Sequence, residues 1–494
     1  MKVVLYPRAA PSDCIRVWIG VFQIAQAPAI SWTIDQAAKE PKALRELASV
    51  RPDDLLPADA AGNPAMPARA FSGVYEFDGL EADSLHEITV TVDGEPTTLQ
   101  TRTLPNEIPQ ELDRWFNVLL VSCFHAAEDR GGLAGTIVSQ LSAVSKPHLS
   151  FLAGDQVYLD LPTLQDFPDD ERWLAQKFEE DYTHNWAGPL SYTEILKAAP
   201  SVSVPDDHEY WNNFPHHVAF INNTYSDESQ ARWKLAARTI FEGFQLPYPA
   251  ATGDPVIIDV DPLSFFLADT RSDKDPNRAR TMSDASRQKL DDWVTRLIND
   301  QKFGVFLSGQ SLFRQKAHRG LGVESDLVVG DYELTDYGDF PDIVNALKRL
   351  EAAGRPVLLL TGDVHWGRVA SAKDNDTGRI GFWEVISSPS SLVTTVGWDK
   401  LKGFGSAISG LFGKKQDWPR HSNAEKPPDY FAREVLGSSF SCTPVHQQRG
   451  NHVVMLGFRR HAGGVELRIK YWPISLDKTI GRPVELDPIH LTNA

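Results

Sequence analysis

The sequence predicts an α/β core flanked by helices and preceded by a small all-β sandwich. Two observations carry this expectation. Residues 13–104 read as short strands, several alternating apolar and polar side chains. From residue 115 onward, short apolar runs recur, each closing in a small or polar cluster, and several alternate with helical patterns. At 494 residues and 42% apolar content, the chain is long enough for two or three domains and apolar enough to bury a core.

In chain order, "IRVWIGVFQI" (15–24), "AISWTI" (29–34), "SGVYEFDGL" (72–80) and "HEITVTVDGEPTTLQTRTL" (86–104) supply the first strands, with Asp93-Gly94 placed for a hairpin turn. They resemble a fibronectin type III-like module over 1–105, joined to a larger unit over 106–494 by "TLPNEIPQELD". In the larger unit the runs at 117–122, 149–154, 201–204, 264–269, 303–309, 356–362 and 381–387 read as strands buried on both faces. Helices are expected over 170–182, from an N-cap at Ser283 through "DASRQKLDDWVTRLINDQ", and over 341–354. Residues 399–430, rich in Gly, Lys and Pro, read as a long mobile excursion or a plain surface loop. A terminal hairpin is expected around Gly463-Gly464.

Charge narrows the partners. Acids outnumber bases 66 to 49, a net charge of −17, which argues against stable binding to nucleic acid or an anionic membrane. Three scattered cysteines form no disulfide framework and suit a reducing compartment. The start of the chain lacks the pattern of a secretory signal, so a cytoplasmic location is expected. No run of about 18 apolar residues suggests a membrane span. Nothing in the sequence specifies an oligomeric state.

Open α/β sheets bind ligands beyond the carboxyl ends of their strands. Those ends carry "CFH" (Cys123, His125), "GDQVYLD" (Asp155, Tyr158, Asp160), "PDDHEYWNN" (Asp206, Asp207, His208, Glu209, Asn212, Asn213), "ADTR" (Asp269, Arg271), "GQ" (Gln310) and "GDVH" (Asp363, His365). Thiolate, phenolate, imidazole and carboxylate are metal ligands, and buried charges require partners or a metal. More than six candidates converge, which exceeds the three or four that one metal takes and favours two or more cations about 3.5–4 Å apart. Arg271 reads either as half of an internal ion pair with Asp269 or as a phosphate contact.

"GDQVY", "DDHEYWNN" and "GDVH", in this order behind strands, resemble the calcineurin-like metallophosphoesterase superfamily. Cys in place of the first ligand Asp, and Tyr three residues after the second, look like its PhoD-type alkaline phosphatase/phosphodiesterase branch. The resemblance implies a β-sandwich core flanked by helices. It implies Cys123, His125, Asp155, Tyr158, Asp207, Gln310, Asp363 and His365 as metal ligands, with Asp155 bridging. Iron, or zinc, would sit in the Cys/Tyr/His site, and calcium, manganese or magnesium in the Asp-rich site. The substrate would be a phosphate ester, hydrolysed by a metal-bound hydroxide. His208, held by Asp206 or Glu209, would protonate the leaving group, and Arg271 and Asn213 would contact the phosphoryl oxygens. The alternative is a non-catalytic binding module on an inactive phosphoesterase fold.

Overall fold

The computed structural model describes residues 1–58, 69–129, 131–162, 166–188, 192–218, 221–246, 250–315, 332–391, 430–431, 436–437, 439–448, 450–475 and 477–492. The excursion expected over 399–430 lies outside the described residues, apart from its last position.

The chain begins with eight strands: β1 (Lys2–Arg8), β2 (Ile15–Ile24), β3 (Ile30–Ile34), β4 (Ala37–Ala38), β5 (Lys42–Ser49), β6 (Arg69–Phe77), β7 (Leu85–Val92) and β8 (Glu95–Arg102). Asp93-Gly94 turns β7 into β8 as the hairpin pattern requires; both residues have positive φ. Strands β4-β3-β7-β8 form one small sheet, and β1-β2-β6-β5 lie in this order in another. Ile15, Val17, Ile19, Trp32, Ile88 and Val90 fill the space between them.

Two larger sheets follow. Strands β9 (Phe116–Val121), β10 (Leu149–Ala153) and β11 (Ser201–Val204) run parallel, and β11 pairs in parallel with β1, at Arg8↔Ser201. The amino-terminal strands therefore continue the same sheet. The second sheet contains β12 (Val256–Val260), β13 (Leu263–Leu267), β14 (Phe303–Leu307), and, beyond the short pair partner β15 (Arg314–Gln315), β16 (Val357–Thr361), β17 (Gly367–Asp374) and β18 (Ile380–Ile386). Past β19 (Tyr430–Phe431), β20 (Phe440–Gln448) closes that sheet's edge on β17. The final hairpin, β21 (His452–His461) and β22 (Gly464–Pro473), returns to β9 in the first sheet.

The two sheets face each other. Val118, Phe151 and Val202 from one meet Phe265, Val305 and Leu358 from the other in a shared core. Both faces of these strands are covered and every position is buried, which explains their predominantly apolar runs. Helices α1 (Leu133–Ser139), α2 (Glu171–Ala187), α3 (Thr193–Ala198) and α4 (Asp227–Phe244) cover the first sheet, and α5 (Asp284–Asp300) and α6 (Phe340–Ala352) cover the second. Ser283 caps α5 through a 3.1 Å bond from Ser286 N–H.

Several elements are not singled out by the sequence pattern above, among them β1, β5, β12, β17, β20, α1, α3 and α4. Pro7 and a terminal position weakened the strand pattern of "KVVLYPR". Helix α4 carried a usable signal: Trp233, Ala236, Ala237, Ile240, Phe241 and Phe244 recur at helical spacing and are all buried.

The start of β21 carries an acid-sensitive element. His452 is fully buried, and burial holds its pKa at about 4, below the ordinary 6.5. The folded chain keeps the ring neutral where the unfolded chain takes up a proton. Stability is thus complete above the unfolded pKa and falls as pH drops from about 6.5 towards 4. Between pH 7 and pH 5 the expected loss from this residue is about 2 kcal/mol. Urea unfolding at the two pH values measures it, and a His452→Gln variant should flatten that part of the profile.

Candidate metal centre

The loops after β9, β10, β11, β14, β16 and β18 meet at one end of the sandwich. Their approach is close: a Cβ on Gly154 would stand 2.5 Å from the Asp206 Cβ, so only glycine fits there. Cys123, Asp155, Asn213, Asp363 and His365 all have φ between 51° and 62°. Five non-glycine residues in the left-handed region at one site mark a backbone held by its surroundings.

Three groups of ligand atoms form there, each with all its atoms within 4.8 Å of one another: Cys123, Asp155 and His365; Asp155, Asp207 and His208; and Asp155, Asp206, Asp207 and Asp363. Asp155 is common to all three. The Cys123 thiol lies 3.4 Å from Asp155 Oδ2 and 3.1 Å from Ser388 Oγ. Burial, then Asp155 and Asp363, push its pKa up. Burial raises Asp155 as well, opposed by His208. Tyr158 lies between two imidazoles, with ring centroids 5.3 Å from His125 and 4.2 Å from His208.

The sequence "DDHE" builds its own scaffold. Glu209 reaches back to the Asp206 N–H at 2.9 Å, as the acid of a capping box does, over the short helical turn Asp207–Glu209. The same carboxylate accepts the N–H groups of Asp155 at 2.9 Å and Gln156 at 2.6 Å, and Gln245 Nε2 at 3.2 Å. It ties the β10 loop to the β11 loop. Burial lifts its pKa to about 7 against those hydrogen bonds.

Several expected contacts are replaced by others. His208 is held neither by Asp206 nor by Glu209: its Nδ1 lies 2.8 Å from Asp160 Oδ1, whose other oxygen accepts the Asn212 N–H at 2.9 Å. Burial disfavours the charged ring, but Asp160, Asp207 and Asp155 outweigh it and raise the His208 pKa. Asp206 instead pairs with Arg271, both side chains being 1% exposed. Arg271 also donates to the Phe214 carbonyl at 3.0 Å, so its guanidinium is engaged inside the protein rather than open to a phosphate. Its partner is Asp206, while Asp269 accepts the backbone N–H groups of Arg271, Ser272 and Gly253.

Gln310 is at the site, but its amide oxygen accepts a 2.7 Å bond from Lys274 Nζ, a donor the sequence reading missed. Burial, then Arg271, bring the Lys274 pKa down to about 7. His125 lies beside Tyr158 and outside the three ligand groups. Asn213 sits at the rim; its N–H donates to Asp207 Oδ2 at 2.6 Å, and its side-chain oxygen accepts the Tyr332 N–H at 3.0 Å. Asp160 stood in the motif "GDQVYLD"; its role was hidden because contact with His208 spans 48 residues.

No protein-family model matches the chain, and no curated protein matches its sequence. Solved structures do match in three dimensions. One described as the structure of PhoD is 13% identical, with a TM-score of 0.61 over 99% of this chain and 92% of its own. The purple acid phosphatase PPD1 from seeds of yellow lupin (Lupinus luteus) is 12% identical, with a TM-score of 0.57 over 98% of this chain and 74% of its own. No described helix is long and apolar enough to cross a membrane. With its facing sheets, flanking helices and acid-rich loops at the strand ends, the chain has the fold of the calcineurin-like metallophosphoesterases.

Proposed function

We propose that this chain is a metal-dependent hydrolase of phosphate esters, a phosphodiesterase, a phosphatase of monoesters, or both. The observation that carries the reading is the sharing of Asp155 between a Cys/His group and an Asp-only group. The residues suit cations. Tyr158 Oη and Asp206 Oδ2 are buried and have no hydrogen-bond partner among the described residues. Buried polar atoms without partners are costly unless something else satisfies them.

Cys123, Tyr158 and His365 would hold a transition metal such as iron or zinc. Asp207 and Asp363 would hold calcium, manganese or magnesium, with Asp155 between the two. Bound cations neutralise phosphoryl oxygens and acidify water. The chain's own part is to hold the reacting groups and move a proton. Asp160 orients His208, and the opposite ring nitrogen, Nε2, is then aimed to give its proton to the departing alkoxide. Glu209 acts as a positioning residue, fixing the loops that carry Asp155 and Asp206.

Metal analysis of the purified full chain, with hydrolysis of nitrophenyl phosphate mono- and diesters before and after chelation, tests this. The expected result is at least two bound cations and activity that disappears on chelation and returns with metal. Bound metals without turnover on any ester would favour a binding module, and a chain that takes up no metal would refute the reading.

A further inference from the structure

The two sides of the site differ in charge. Cys123 is surrounded by hydroxyls and carboxylates: Ser122, Ser388, Asp155 and Asp363. On the other side, two buried cations stand among the acids. Arg271 is locked to Asp206. Lys274, 3% exposed, donates to Gln310 Oε1 at 2.7 Å and lies 4.7 Å from the centre of the Tyr337 ring. Its charge acts on Asp206, Asp207 and Asp363. Gln310 Nε2 in turn stands 3.4 Å from Asp363 Oδ2, so the ammonium is one amide away from that carboxylate.

We propose that Lys274 sets the cation affinity of the Asp206–Asp207–Asp363 side and makes it the weaker, exchangeable half of the site. The proposal rests on the metal-centre reading above. A divalent ion entering there meets a like charge within the same buried cluster and finds the Gln310 oxygen already engaged. Coulomb repulsion between a single and a double charge within about 10 Å of each other is worth at least about tenfold in affinity, even at an effective dielectric near 20. Cys123 feels only the carboxylates of Asp155 and Asp363, and His208 stands beside Asp155, which borders both halves and does not distinguish them, so the half that holds Cys123 is expected to fill first.

Titration of Mn2+ into the chelator-treated full chain at pH 6, with free Mn2+ read by electron paramagnetic resonance, tests the proposal in the parent, Lys274→Met and Lys274→Arg. Two classes of site are expected in the parent. In Lys274→Met the weaker class should tighten at least about tenfold, while Lys274→Arg stays close to the parent and the tighter class does not move. Should the methionine variant fail to fold by circular dichroism, Lys274→Gln removes the charge while keeping an amide donor for Gln310, and carries the same expectation. Equal or weaker affinity in the uncharged variants overturns this inference alone. A parent that binds no Mn2+, zinc or iron overturns the metal-centre reading and this inference with it.

Discussion

Alanine at position 208 is expected to lower kcat on an alkyl phosphodiester by about 10²–10⁴-fold while the chain keeps its metals. An alkoxide leaves poorly without a proton, and His208 is the imidazole that faces the acid-rich groups with a carboxylate behind it. A nitrophenyl ester, whose leaving group needs no proton, should lose far less. Asp160→Asn is expected to lower activity by about 10–100-fold, the usual effect of removing the group that orients a working histidine. Asp160 also raises the His208 pKa. Without that charge the ring gives up its proton at lower pH, so the alkaline limb of the pH–rate profile should move down. Parental kcat on the alkyl ester in the His208→Ala protein would refute the acid role; an unmoved alkaline limb in Asp160→Asn would refute the pairing.

Removal of residues 1–105 is expected to prevent the remainder from folding. The reason lies in the contacts between the amino-terminal strands and helices α2 and α4. Val4, Tyr6, Trp18, Phe22, Val50 and Val74 share one buried cluster with Phe178, Tyr182, Trp186, Trp233 and Phe244. Tyr6 donates to the Trp186 carbonyl, Arg8 to that of Phe244, and Trp18 Nε1 to that of Gly243 at 2.9 Å. Arg51 pairs with the buried Glu179 at 2.8 Å, and the Ala70 N–H donates to the same carboxylate at 3.0 Å. Each large apolar side chain re-exposed loses about 1.5–3 kcal/mol. Five or six of them match the whole stability of an ordinary domain, about 5–15 kcal/mol. The single change Arg51→Met, which leaves Glu179 buried without its partner, should cost about 3–5 kcal/mol in urea unfolding. A soluble, cooperatively unfolding fragment over 106–494 would contradict the structural account.

The strands at 15–24 and 201–204 could be placed to the residue because β-branched and aromatic residues recur in them and turn residues bound them, although Arg16, Gln23, Ser201 and Ser203 interrupt the apolar runs. The order of "GDQVY", "DDHE" and "GDVH" behind such strands placed their residues at one end of a sheet, since parallel strands deliver their carboxyl ends to the same side. Periodicity is local, and so these features were legible in it. Which acid holds which cation is not local. Asp160 and His208, Arg271 and Asp206, and Lys274 and Gln310 are 48, 65 and 36 residues apart. Each partner had equally acidic or basic neighbours nearer in sequence, so residue type alone could not choose among them. The union of β1 with β11 was hidden for the same reason, because pairing depends on which sheet edge is open after the rest has packed. The sequence by itself determined the strands that deliver the site and the identity of the metal-ligand candidates. Only the tertiary structure decided the pairing of buried charges, because Coulomb energy depends on distance in space and desolvation on the completed core.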